Sequence, residues 1–354
     1  MKRRIPEIVL FVAVFALSLV FQRYTLMDEG MWSLFLLSPD WLRETCSLPL
    51  PVSRTVSDFL LQFYDIPLVA PAITAMLTLG VYLLGGSMLL ACAAWLLAAL
   101  LPSPQYAVLA LFAALVLRLA LILLKKRIPE PKPALRLIPI AVAALAIVIL
   151  PSVSRRETLA KAELCARQAQ WSKVLSAATP AACSKDRSLL PYAALALSSE
   201  GRLSSDLGLY GFKTAQDLDM EGVQSREGYY FSSLMYEALG CPNEAIHRIF
   251  QAGCHLDHGT SYMVLYQLIR YNIEREDFTM VRKYAGILAR SPRHRSLARK
   301  TLEVYGSRSD GCVEKGSPSI TNNPIYNLTM LYQHGIETQV SGDLFQAYMT
   351  LSQQ

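Results

Sequence analysis

The sequence predicts an all-α protein in two parts: an N-terminal bundle of transmembrane helices, then a tetratricopeptide-like helical-repeat domain. Three observations carry that prediction. Charge is sparse up to residue 150, with 12 Lys/Arg and 8 Asp/Glu, and ordinary beyond it, with 22 and 20. Apolar runs of membrane-crossing length fill the first part. From Glu157 onward apolar residues recur at helical spacing, without the alternation of a strand. With 354 residues, 53% of them apolar, 18% charged and a mean hydropathy of +0.29, the chain is not disordered, collagenous, a disulfide scaffold or a wholly soluble enzyme.

Residues 1–153 read as the membrane region. Lys2-Arg3-Arg4 precedes an apolar run from Ile5 to Phe21. Leu17-Ser18-Leu19-Val20-Phe21-Gln22-Arg23 offers no small-x-small cleavage site, so the run reads as an uncleaved anchor helix. Residues 22–65 form an external loop of net charge −3. In it, Met31 to Leu37 and Val56 to Phe63 read as short amphipathic helices, with Trp32, Trp41, Phe59, Phe63 and Tyr64 as interfacial anchors. Ile66 to Leu101 carries no charge. As one helix it would reach about 54 Å, against a hydrocarbon core of about 30 Å, so two passes hinged at Gly85-Gly86 fit better. Close helix packing is the expected role of Gly80. After Pro102-Ser103-Pro104 comes a span from Tyr106 to Leu124, and Arg118 within it is expected to snorkel toward the basic loop.

That loop, residues 125–136, carries a net +4 and is stiffened by prolines. The last span runs from Leu137 to Val153. Keeping both the +4 loop and Lys2-Arg3-Arg4 in the cytoplasm requires an even number of passes between them. Five spans satisfy this and place the C-terminal domain in the periplasm; four-span arrangements expose one basic segment or the other. Arg155-Arg156 argues weakly in the opposite direction.

Residues 154–305 read as stacked helical pairs. Glu157–Ala169 runs into Trp171, Leu190–Ser199 into Leu203, Tyr229–Leu239 into Pro242, and Tyr262–Ile273 into Phe278. These four turn landmarks are spaced 32, 39 and 36 residues apart, close to the ~34-residue period of tetratricopeptide pairs. A single pair cannot bury its apolar face, so neighbours should stack into a short solenoid. Residues 306–354 read as a Gly/Ser/Asn/Pro-rich loop to residue 324, a helix from Pro324 to Gln333, and a last helix from Asp343 to Ser352 capped by Ser341 or Asp343. Asn327-Leu328-Thr329 is a glycosylation sequon only by spelling.

The order of segments resembles an uncharacterised Bacteroidetes family of multi-span membrane proteins with a tetratricopeptide-like C-terminus. The likeness rests on Leu36-Leu37-Ser38-Pro39-Asp40-Trp41-Leu42, Ser57-Asp58-Phe59-Leu60-Leu61-Gln62-Phe63, Gln170-Trp171-Ser172-Lys173-Val174-Leu175, Tyr192 to Leu197 with Gly201-Arg202-Leu203, Val281-Arg282-Lys283-Tyr284, and Asn327-Leu328 followed by Phe345-Gln346-Ala347-Tyr348. The membrane region looks shortened beside that family. The resemblance implies architecture and no chemistry.

Candidate chemistry is thin. Cys254, His255, Asp257 and His258, with Cys241 and His247 nearby, are the only ligand-rich cluster, but they lack a Cys-x-x-Cys or His-Glu-x-x-His spacing, so no metal is expected. Asp28 and Glu29 follow the first span and could serve as a loop carboxylate acting as general base, as in polytopic glycosyltransferases that use lipid-linked sugars. Arg293-His294-Arg295 with Arg299-Lys300 could meet anionic lipid heads or an acidic partner, although a solvated face is the plainer reading. Seven cysteines without a framework read as buried thiols. No phosphate-binding Gly loop, nucleophile elbow or other cofactor motif occurs. A net charge of +6, only +2 of it after residue 150, is no nucleic-acid footprint. The sequence therefore predicts a membrane-anchored interaction or scaffold protein of the bacterial envelope whose concave repeat surface takes a protein or peptide. An envelope glycosyltransferase-like enzyme is the alternative.

Overall fold

The structure is a computed structural model that describes residues 5–101, 104–123, 135, 137–220, 223–311, 324–333, 335 and 338–353. The described residues are helical throughout, joined by turns and loops. They fall into two units, Met1–Glu157 and Thr158–Gln354. Lys2-Arg3-Arg4, Cys312 and all of the 125–136 loop except Leu135 lie outside the described residues.

The first unit contains α1 (Ile5–Phe21), α2 (Arg23–Trp32), α3 (Pro39–Ser47), α4 (Pro51–Leu61), α5 (Val69–Gly85), α6 (Met88–Leu100), α7 (Pro104–Leu123), α8 (Leu137–Ile149) and the start of α9 (Pro151–Arg167). The uncharged run breaks after Gly85. Gly86 takes φ +66°, and Ser87 then caps α6 by accepting from the Leu90 N–H. α5 packs against α1, α6 and α7, and α8 against α1 and α6. Their shared core mixes small residues, Ala75, Ala91, Ala94, Ala114 and Ala143, with large ones such as Leu10, Val14, Trp95, Ile140 and Ile147. A Cβ on Gly80 would stand 2.9 Å from Leu111 Cδ1, the movable tip of a side chain on α7, so α5 and α7 lie close there. Among the described residues no single helix is long and apolar enough to cross a membrane. Two bent pairs, α1–α2 at 80° and α8–α9 at 55°, pass on length and composition.

Two expectations for the 22–65 segment need correction. α2 ends at Trp32 and residues 33–37 are not helical. Leu34, Phe35 and Leu36 are buried in that non-helical stretch instead of facing outward from an amphipathic helix. Trp32, Trp41 and Tyr64 are buried too, so they pack the unit and do not project as anchors; Phe59 is exposed. Apolar spacing alone does not distinguish a helix face from an extended run that is buried on both sides.

The second unit contains the end of α9, α10 (Trp171–Ala177), α11 (Pro180–Lys185), α12 (Leu190–Ser199), α13 (Leu203–Tyr210), α14 (Arg226–Ala238), α15 (Pro242–Cys254), α16 (Tyr262–Glu274), α17 (Phe278–Leu288), α18 (Arg295–Tyr305), α19 (Pro324–Gln333) and α20 (Gln339–Ser352). The second helix of each pair begins at Trp171, Leu203, Pro242 and Phe278. Two residues earlier, Ala169, Gly201, Gly240 and Glu276 all adopt positive φ, between 50° and 76°. The residue after each returns its N–H to the preceding helix at the same offset: Gln170 to Cys165 O, Arg202 to Leu197 O, Cys241 to Tyr236 O and Asp277 to Asn272 O, at 2.8–3.0 Å. These are four copies of one helix-terminating turn, which makes the unit helical-repeat-like in backbone geometry as well as spacing.

Two of the four turns use a residue with a Cβ where glycine is at ease. Ala169 is exposed. Ala169→Gly should therefore raise the stability of the repeat unit by about 1 kcal/mol, and Gly201→Ala should lower it, because its new Cβ would meet Gln339 Nε2 as well as the strained backbone. Denaturant midpoints of the two variants measure both signs.

The C-terminal helices depart from the expected caps. α20 starts four residues earlier than Asp343, with Thr338 as N-cap in a reciprocal capping box with Ser341. Asp343 caps another helix: its carboxylate accepts from Leu203 N at 2.7 Å, Ser204 N at 3.1 Å and Ser204 Oγ at 2.5 Å, at the start of α13.

Candidate functional site

Asp28 and Glu29 both lie on α2, half-buried. α2 presses on the turn after α4: a Cβ on Gly30 would come within 2.6 Å of Tyr64 Cβ. The far end of α2 is tied down by Glu157, whose carboxylate accepts from Tyr24 N, Thr25 N and Thr25 Oγ1, each at 2.9 Å. A small cavity near this turn is lined by Gln22, Leu26, Tyr64, Thr74, Leu77, Ala98, Pro104 and Ala107, with neither acid among its walls. The helix thus carries the acid pair as part of a packed corner.

Cys254, His255, Asp257 and His258 sit at the end of α15 and in the turn after it. Cys254, His255 and Asp257 are exposed. The His255 ring packs on Tyr229 with centroids 5.4 Å apart, and His247 pairs with Glu244 at 3.5 Å. Among the described residues no three His, Cys, Asp or Glu side chains converge as a metal would need. Cys46, Cys92, Cys165, Cys183, Cys241 and Cys254 are unbridged. Burial pushes the Cys183 and Cys241 thiols up to about 11, away from thiolate reactivity. The Asn327 of the sequon is buried and donates to Tyr236 Oη at 3.4 Å.

A further polar arrangement is one the sequence reading did not single out. It lies among the first helices of the repeat pairs. Tyr192 of α12 donates to Glu163 of α9 at 3.4 Å and meets Phe231 of α14 edge-on, with centroids 5.0 Å apart. Tyr271 of α16 reaches Glu237 Oε2 of α14 at 3.2 Å and Ser233 O at 3.4 Å. Burial pushes Tyr271 up to about 12. Arg270 forms an ion pair with Glu237 and donates to Arg167 O at 3.4 Å, while Arg167 Nη1 lies 3.5 Å from Met263 Sδ. α9 and α16, the first helices of the first and fourth pairs, are therefore in direct contact. Gln267 is fully buried one turn before Tyr271, and neither atom of its amide finds a partner among the described residues. Arg270 donates to Glu237 and to Arg167 O, Tyr271 to Glu237 and Ser233 O, and Tyr192 to Glu163, so the seam locks helices together and sets up no nucleophile beside a base. Its signal in the sequence, Tyr and Glu at inward helical positions, does not differ from ordinary core-edge spacing.

A family profile matches residues 2–111 and 98–314, most of the chain. The chain belongs to the family of unknown function DUF6057. No curated protein and no solved structure matches it. α19 and α20 lie beyond the matched residues. Membership brings no activity to this chain, so function has to be argued from its own two units.

Proposed function

We propose that this is a membrane-anchored helical-repeat interaction protein of the bacterial cell envelope, with residues 1–153 in the cytoplasmic membrane and a tetratricopeptide-like domain outside it. The observation that carries the reading is the outward aliphatic surface of the first unit. Its core mixes alanines with Leu10, Trp95 and Ile147, yet Ile8, Val12, Val20, Leu89, Val116, Leu123, Val142 and Ile149 are more than half exposed. Large aliphatic side chains facing outward over an already apolar core suit a hydrocarbon solvent. The short α5, α6 and α8 and the bends after α1 and α8 suit broken or tilted passes.

The partner is a protein or peptide. It is taken by the surface that the stacked pairs leave open to solvent, as in other helical-repeat stacks.

Sidedness follows from the basic loop at 125–136 and is tested by reporter fusions after Ser152 and after Arg127. Alkaline phosphatase activity is expected from the first only. Activity from the second, or from neither, removes the periplasmic placement.

A further inference from the structure

We propose that α18 with the turn before it is a docking surface for anionic phospholipid headgroups. Arg290, Arg293, Arg295, Arg299 and Lys300 fall within eleven residues that contain no acid; the first acid is Glu303. The rest of the second unit mixes its charges and pairs many of them, as in Arg187–Asp217, Arg202–Asp206 and Arg248–Glu244. Among the described residues no carboxylate pairs with Arg290, Arg295, Arg299 or Lys300, and all four are exposed.

The same helix presents apolar groups outward. Its inner side is held by buried Ala298 and by Tyr305, which stacks on Phe278 with centroids 5.8 Å apart. On a helical projection Leu297, Lys300 and Val304 share one outer flank. Leu297 is 39% and Val304 53% exposed. Cations interleaved with outward Leu and Val on one helix are the pattern of a segment lying at a lipid interface: headgroup phosphates meet the cations and the aliphatic tips enter the acyl boundary. A bilayer meets both needs with one surface, because its acyl layer lies directly beneath its charged headgroups where Leu297 and Val304 can enter. The inference rests on the membrane reading above only in that a bilayer must lie within reach of the second unit.

The test uses the full chain in nanodiscs of phosphatidylcholine alone and of phosphatidylcholine with phosphatidylglycerol, read by hydrogen exchange of residues 290–305. Exchange is expected to slow about tenfold with phosphatidylglycerol. The slowing should disappear in R295S/R299S/K300S, and Leu297→Ser with Val304→Ser should weaken it while leaving the charge intact. Exchange indifferent to phosphatidylglycerol in an inserted chain overturns the proposal and leaves the membrane reading standing. Protection by soluble polyglutamate equal to that by the lipid overturns it in favour of an acidic partner. A chain that does not enter nanodiscs overturns both.

Discussion

Acidification from pH 7 to pH 4 is expected to cost the repeat unit about 3 kcal/mol through His294 alone. The ring is buried at the start of α18 and lies flat on Tyr262, with centroids 3.9 Å apart and planes 12° apart. Burial, helped by the charge of Arg293, pushes its pKa down to about 4. Nε2 has no hydrogen-bond partner among the described residues, so no acceptor there compensates an imidazolium. Because the folded value lies below the ordinary 6.5, the unfolded chain takes the proton first. The stability is whole above that ordinary value, drains as the pH falls toward the folded one, and does not change further below it. About 2 kcal/mol of the loss should come by pH 5, before most carboxylates titrate. Hydrogen exchange of the α16–α18 amides at pH 7 and pH 5, corrected for intrinsic rates, measures it. His294→Phe keeps a flat ring on Tyr262 and should abolish the difference; an undiminished difference in that variant assigns the proton to another group.

The repeat pairs were legible because their turns carry local chemistry. Gly201-Arg202-Leu203 and Gly240-Cys241-Pro242 place glycine where the backbone goes left-handed, and a helix starter two residues on. Ala169 and Glu276 occupy the same conformation without that mark; only the repeat spacing points to them. Contacts distant in sequence were not legible. Asp343 reads as a cap for its own helix because a carboxylate near a helix start satisfies local N–H groups, yet the helix it caps begins at Leu203. Glu157 likewise reads as an ordinary first-turn acid and instead holds Tyr24 and Thr25. Spacing encodes what a residue can do for its neighbours within a turn or two. It does not say which distant helix end lacks a partner. The candidate acids and the Cys/His cluster were visible as residue types, but the tyrosine–carboxylate seam was not, since its members are adjacent only after the pairs stack.

Leu344→Ala should destabilise the repeat unit by about 2–5 kcal/mol, more than its place on a terminal helix suggests. The spacing between the second and third pairs is the longest, and a short 3-10 turn at Ala215–Asp217 lies within it. α20 packs on α12, on α13 and on that turn, and Tyr348 donates to Asp219 beside it. On its other side Leu344 and Tyr348 line a small apolar pocket with Met235, Tyr236 and Leu239 of α14 and with Asn327 and Leu328 of α19. α20 therefore bridges the widest joint of the stack, where Tyr192 of α12 also meets Phe231 of α14 edge-on. Leu344 is almost fully buried, so truncation leaves a cavity at that joint. Its loss should speed hydrogen exchange through α12, α13 and α14 together and leave α16 and α17 nearly unchanged, because their pairing does not pass through α20. Phe345→Ala, at an exposed neighbouring position, should change stability by only about 0.5 kcal/mol. If the two variants behave alike, or if Leu344→Ala loosens α20 and nothing else, α20 is a passenger on the stack, and the joint between the second and third pairs is held by direct contact of α12 with α14, Tyr192 on Phe231 among it.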